Sequence, residues 1–259
     1  MRAVNEAIAR MKVTQGAQPA VRKAVVALRE DSLRVEPGTL LGQEEDLIER
    51  YQVSRPTLRQ AAALVGQEQL VTVRRGVGGG YFSQRPDFSG VAHMAAILLQ
   101  VEGAKVEDML RTVETIRVEM VSLAATGGSV EAMEKLQDYI DADEAIEDGD
   151  YNFRRFLKAE RQHNELVGLA AGNQVLHLFM QILLELVATL RPTEDILFGK
   201  EERYLEWRVQ RNKMIRAILA RDVEIALVEA RRGSAKIRQW LEEDRAVEQS
   251  GRRRAANVD

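Results

Sequence analysis

The chain has 259 residues, 45% apolar and 30% charged, which suits one large or two ordinary globular domains with substantial cores. It contains no cysteine, so disulfides, thiolate catalysis and Cys-ligated zinc or iron–sulfur centres are excluded. It has no run of about 18 apolar residues and no signal-peptide core, so a cytoplasmic chain without a membrane span is expected, while the net charge of −3 argues against nucleic-acid binding unless charge is locally concentrated.

In chain order, Val4, Ala7, Ile8 and Met11 share a helical face, and Gln15 to Pro19 breaks it, so residues 1–18 are expected to form an N-terminal arm. Val21, Ala24, Val25 and Leu28 predict a helix over residues 20–33. A turn at Pro37–Gly38 separates it from a short helix over residues 43–51. Ser54 is a capping residue type, and Pro56 sits where a missing N–H is harmless, so a third helix is expected over residues 55–65. The two short helices, joined by Gln52–Val53, form a helix-turn-helix. The period then changes to that of strands. Leu70–Arg74 and Tyr81–Ser83 flank the glycine-rich stretch Arg75 to Gly80, which is a hairpin, and a hairpin behind a helix-turn-helix is a winged helix. The glycine run leads into Tyr81–Phe82 and not into a helix, so it is a wing and not a phosphate loop.

Beyond a linker at residues 85–90 the pattern is helical, in about seven segments over residues 89–101, 106–126, 129–148, 150–170, 173–190, 200–220 and 222–243. The fold class is therefore mainly α: a winged helix over residues 19–84, then an antiparallel bundle over residues 91–244 large enough to enclose a ligand. Residues 245–259, with Arg252–Arg254, lack apolar periodicity and are expected to be a disordered tail.

Charge is concentrated in the winged helix. Between Ser54 and Arg85 there are five arginines (Arg55, Arg59, Arg74, Arg75 and Arg85) and one acid, Glu68. Arg55 and Arg59 are one helical turn apart and share a face, where a planar guanidinium can meet guanine bidentately or clamp a phosphate. Ser54 and Thr57 add hydroxyl donors at the helix N-terminus, and Arg75–Gly76 forms the wing tip. These six residues, Ser54, Arg55, Thr57, Arg59, Arg75 and Gly76, are the expected contacts to double-stranded operator DNA. The acids Asp141, Asp143, Glu144, Glu147 and Asp148 have the pattern of a solvated helix surface, His163 that of a buried histidine, and Phe179–Leu184 that of core.

Pro37–Leu41, Val53–Arg59 and the wing Arg75–Phe82 resemble the GntR family of bacterial transcription regulators. The helical remainder, with Leu169–Asn173, is similar to the ligand-binding domain of its FadR subfamily. The resemblance runs from Pro19 to about Glu243 and implies a homodimeric, effector-responsive DNA-binding regulator that is not an enzyme. Two departures from the family pattern stand out. Glu45 occupies the place of an arginine that commonly touches a base. The family's divalent metal site, an Asp with three His, maps by motif spacing onto Glu160, Asn164, Arg211 and Gly233, so no metal or other cofactor is expected. In its place Glu160 and Arg211 are expected to face one another with Asn164 nearby, and Arg211 to meet a ligand carboxylate. The expected effector is a small hydrophobic organic acid or an acyl-CoA-type compound that releases a repressor from its operator. A rival reading is an enzyme or sensor with an accessory winged helix and catalysis in the bundle. Against it, the chain has no nucleotide-cradling loop, no Ser/His motif and no metal cluster.

Overall fold

The structure, a computed structural model, describes residues 18–190 and 194–256. The expected N-terminal arm lies, except for Gln18, outside the described residues. The chain divides into two compact units, Met1–Asp87 and Phe88–Asp259.

In the first unit α1 (Pro19–Arg34) precedes β1 (Leu40–Gly42), α2 (Glu44–Tyr51) and α3 (Arg55–Gln67), and β2 (Val71–Arg74) and β3 (Gly80–Ser83) close it. The inward residues of each element meet in one core: Leu28 of α1, Leu47 of α2, Leu58 and Val65 of α3 and Tyr81 of β3. The sheet is antiparallel in the order β1-β3-β2. Strand β1 was not expected, because three residues are too short to show an alternating pattern. It pairs Leu40 with Phe82, and the Ser83 amide donates to the Thr39 carbonyl at 2.8 Å. The wing turns through Gly76 at φ 92°, a left-handed conformation that favours glycine. A side chain at Gly79 would collide with the Arg74 carbonyl.

Two charges counted as surface charges turn inward. Arg85 donates to the carbonyls of Ser32 (2.9 Å) and Val35 (2.6 Å), capping α1, so the first linker residue is built into the winged helix. Glu68 is held by the buried Arg29.

The second unit contains α4 (Ser89–Val101), α5 (Val106–Gly127), α6 (Val130–Glu144), a 3-10 turn (Asp148–Asp150), α7 (Phe153–Ala171), α8 (Gln174–Leu190), the short α9 (Glu194–Leu197), α10 (Glu201–Leu219) and α11 (Val223–Ala256). Ser129 and Asn152 cap α6 and α7, accepting from the amides of Ala132 and Arg155. Helix α5 lies at the centre, against α7, α8 and α11, with Met120, Val121 and Ala124 fully inside. A second apolar cluster gathers Tyr151, Phe156, Tyr204, Trp207 and Trp240.

Three expectations are corrected here. Helix α6 stops at Glu144 and not at residue 148, because Arg208 collects the carbonyls of Asp143 and Ile146 and the Asp148 carboxylate, bending the chain out of the helix. In the acidic run Asp141, Glu144, Glu147 and Asp148 are exposed as expected, but Asp143 is only 5% exposed and meets Arg208, Arg211 and Asn212. The expected disordered tail is helical through Ala256, since its Glu, Arg, Gln and Ala residues are strong helix formers and no proline interrupts them. Residues 257–259 lie outside the described residues.

At the corner between α10 and α11, Arg221 adopts φ 58°, unusual for a side-chain-bearing residue. Its guanidinium compensates by donating to the Gly128 carbonyl at 2.6 Å, at the end of α5.

Candidate nucleic-acid interface and effector cavity

Helix α3 begins at Ser54, whose hydroxyl accepts from the Thr57 amide at 3.4 Å and lies 2.8 Å from the Thr57 hydroxyl. This cap sets the first turn, and Arg55 and Arg59 leave it on the same exposed side. Both are paired with acids of α2. Arg55 reaches Glu44 through Nε at 2.8 Å and Glu45 through Nη2 at 2.6 Å, and Arg59 reaches Glu44 through Nε at 2.9 Å. The Arg59 hydrogen bond is the main cause that holds the Glu44 carboxyl below its ordinary pKa. Exposed pairs of this kind are weak and exchange readily for a phosphate or a base edge. Arg75 and Gly76 are exposed on the wing, while Arg74 stacks over Phe82, 4.3 Å from the ring centre. All six expected DNA contacts thus lie at the surface of one unit, Thr57 half-buried and the others exposed.

The bundle encloses a cavity of about 530 Å³, within the range of small-molecule sites. Its walls are mostly apolar, with Leu110 and Val113 from α5, Leu157 from α7, Leu184 from α8 and Leu241 from α11. Leu184 and Gln181 therefore face the cavity, although their segment was expected to be core. Of the three expected effector residues, Glu160 and Asn164 line the cavity and Arg211 does not. The Asn164 side-chain amide donates to the Glu160 carbonyl at 2.8 Å. Arg211 is correctly predicted as the partner of Glu160, at 2.9 Å, but it lies behind the wall with its side chain 0% exposed. It also donates to Asp143 at 2.8 Å and to the Tyr151 hydroxyl at 3.3 Å. Burial opposes the Arg211 charge, and Glu160, Tyr139, Tyr151 and Asp143 outweigh that and raise its pKa. With its donors engaged and no open face, Arg211 cannot receive a ligand carboxylate.

The cation that does face the cavity is Arg117 on α5, and sequence reasoning missed it. Its signal was an arginine on the stripe Val106–Leu110–Val113–Arg117–Met120, whose other members are apolar. Arg161 stands at the exposed rim.

His163 is 2% exposed, with its Nδ1 donating to the Glu160 carbonyl at 3.2 Å. Burial pushes its pKa down to about 4, so the ring is neutral near pH 7. His177 packs against Gly168 and lies 3.1 Å from Glu165. The residues at the four metal-ligand positions do not fit a metal ion. Glu160 is paired with a guanidinium, the Asn164 amide is turned to a carbonyl, Arg211 has no lone pair, and Gly233 has no side chain and packs beside Trp207.

Two family models match the chain: the gntR family of bacterial regulatory proteins over residues 19–79, and the FCD domain over residues 108–232. The chain belongs to the GntR family. Among curated proteins this GntR-family chain is similar to the HTH-type transcriptional regulator LutR of Bacillus subtilis (strain 168), 25% identical over 194 residues, covering 72% of this chain and 84% of LutR. Among solved structures, a Streptococcus agalactiae GntR superposes with a TM-score of 0.65 at 15% identity, covering 85% of this chain and 99% of that one, which shows a shared fold. E. coli McbR/YncC aligns with a TM-score of 0.43 at 14% identity, covering 88% of this chain and 99% of that one. The GntR-family chain is a ligand-responsive, DNA-binding transcription regulator, with DNA read by the winged helix and a small molecule bound by the FCD domain. Among the described residues, no helix is long and apolar enough to cross a membrane.

Proposed function

We propose that this GntR-family regulator is a cytoplasmic, homodimeric repressor of the FadR subfamily that a small hydrophobic organic acid releases from its operator, and that it catalyses no reaction. The observation that carries the reading is the separation of two surfaces. Arg55 and Arg59 stand exposed on a capped helix in one unit, and the other unit holds an apolar cavity. Ser54, Thr57, Arg75 and Gly76 position the winged helix on the DNA backbone, while the two arginines read base edges. A dimer reads two half-sites only at matching spacing, so a ligand that favours one arrangement of the subunits changes operator affinity by its differential binding. Dimerisation is supported by the exposed Val91, Met94, Leu98 and Val101 on α4 beside Leu178 and Phe179 on α8. An apolar face on that scale suits a second copy of the chain.

Domain limits follow the same division of labour: winged helix to residue 87, effector and dimerisation domain from residue 88. A free acid with an apolar body suits a mostly apolar cavity of about 530 Å³. The test is a mobility shift of the full chain on the promoter region of its own gene. Arg55→Ala or Arg59→Ala is expected to weaken specific binding by about 1–3 kcal/mol per subunit while the unfolding midpoint stays unchanged. Wild-type affinity in both variants would remove α3 from the reading role.

A further inference from the structure

We propose that Arg117 is the anion anchor of the effector cavity, and that the cavity selects a monocarboxylate with an apolar body. The inference deepens the effector reading above and rests on it.

Arg117 lies on the central helix α5, three turns along the stripe that Val106, Leu110 and Val113 begin, and all four side chains line the cavity. Among the described residues, no carboxylate lies within 4 Å of its guanidinium and no acceptor lies within hydrogen-bond reach. Its one close partner is the Trp207 ring, 5.7 Å away, a weak cation–π contact. Arginine in a folded interior is ordinarily paired, as Arg208 and Arg211 are here. Burial pushes the Arg117 pKa below its ordinary value despite the pull of Glu160 and Glu114, so the folded protein bears an uncompensated cost for this cation.

The surrounding charges leave room for one anion. Glu160 is the acid facing Arg117, and its own charge is met by Arg211 at 2.9 Å, so it neither neutralises Arg117 nor strongly repels an incoming acid. Arg161 and Glu185 lie at the exposed rim and carry opposite signs. One half-buried guanidinium facing the cavity offers a fork that a single carboxylate fills bidentately. The Leu, Val and Phe walls then take up an apolar chain or ring, and the Asn164 and Gln181 side chains are at hand for one further polar group.

The chemistry predicts an unusual sign for substitution. Replacing an arginine that holds structure lowers stability. Replacing one that waits for a ligand removes a half-buried, unpaired charge and raises it. The full-length protein, dialysed free of small molecules, is compared with Arg117→Met and Arg117→Lys by thermal unfolding and by calorimetric titration. The probes are straight-chain monocarboxylates from butanoate to dodecanoate and their matching primary amides.

The wild type and Arg117→Lys are expected to bind the best acid at least about tenfold more tightly than its amide. Arg117→Met is expected to lose that preference and to melt a few degrees higher than the wild type without ligand. A lower melting temperature for Arg117→Met would mean that the arginine supports the fold, and would overturn the proposal. So would the absence of any acid-over-amide preference in the wild type. Operator binding by the wild type is measured in parallel, and its failure would count against the DNA-reading assignment and not against the anchor.

Discussion

In the winged helix, Arg55 and Arg59 lie against Glu44 and Glu45; in the bundle, Arg208 and Arg211 lie against Asp143 and Glu160. The hydrogen-bond lengths are alike, from 2.6 to 3.0 Å, and the chemistry is the same. The environments are opposite. The Arg55 and Arg59 side chains are 54% and 65% exposed, while those of Arg208 and Arg211 are 7% and 0% exposed. Water and salt screen the first group, so each pair contributes little and opens easily when DNA arrives. In the second group no water can replace a lost partner, so each member depends on all the others. One interaction thus serves exchange at the surface and permanence inside.

The largest effect expected from breaking this contrast is in the interior. Arg211→Ala leaves Glu160 without its guanidinium and Asp143 with Arg208 as its one remaining arginine, and is expected to cost about 3–5 kcal/mol, read as a lower urea midpoint. A loss under about 1 kcal/mol would show that the buried network is no more costly to break than a surface pair.

Next is the pH dependence of His163, which sits among Glu160, Arg211 and Arg117. Its pKa of about 4 in the fold lies below the ordinary value near 6.5, so the unfolded chain binds more protons between those two pH values. Its contribution to stability is therefore complete above about pH 6.5 and is lost as pH falls towards 4, by roughly 3 kcal/mol in all. Glu160, whose carboxyl is held low because His163 and Arg211 outweigh the effect of burial, adds a loss of the same sign in acid. Unfolding free energy measured from pH 7 to pH 4 is expected to show a shallower slope for His163→Leu. Equal slopes would mean that the ring titrates normally in the fold.

The smallest expected effect is at the surface. Glu45 is 70% exposed and takes one edge of Arg55. Glu45→Arg is expected to free Arg55, to remove a charge that repels phosphate, and to raise operator affinity by about 1 kcal/mol, with a shift towards guanine in the half-site. Binding selections that return the same site for both proteins would show that Glu45 takes no part in reading.

The winged helix and the order of the bundle helices were legible because they rest on local signals. A cap at Ser54, glycines in the wing and apolar positions at helical spacing each act over a few residues. The pairing of Glu160 with Arg211, 51 residues apart, came from the resemblance to the family's metal-site motif and not from local spacing. Strand β1 was too short for its period to register, and Arg85 looked like one more surface charge until it capped α1.

Charge and periodicity along the chain were enough for a winged helix, a helical bundle and a pair of exposed reading arginines, because helix faces and turns follow from the nearest neighbours. Which arginine is locked and which is left open was decided only by packing. Arg117 and Arg211 both sit among apolar residues and look equally interior from sequence. Asp143, 68 residues before Arg211 in the chain, makes the difference, because the energy of a buried charge depends on what lies within a few ångströms of it in space.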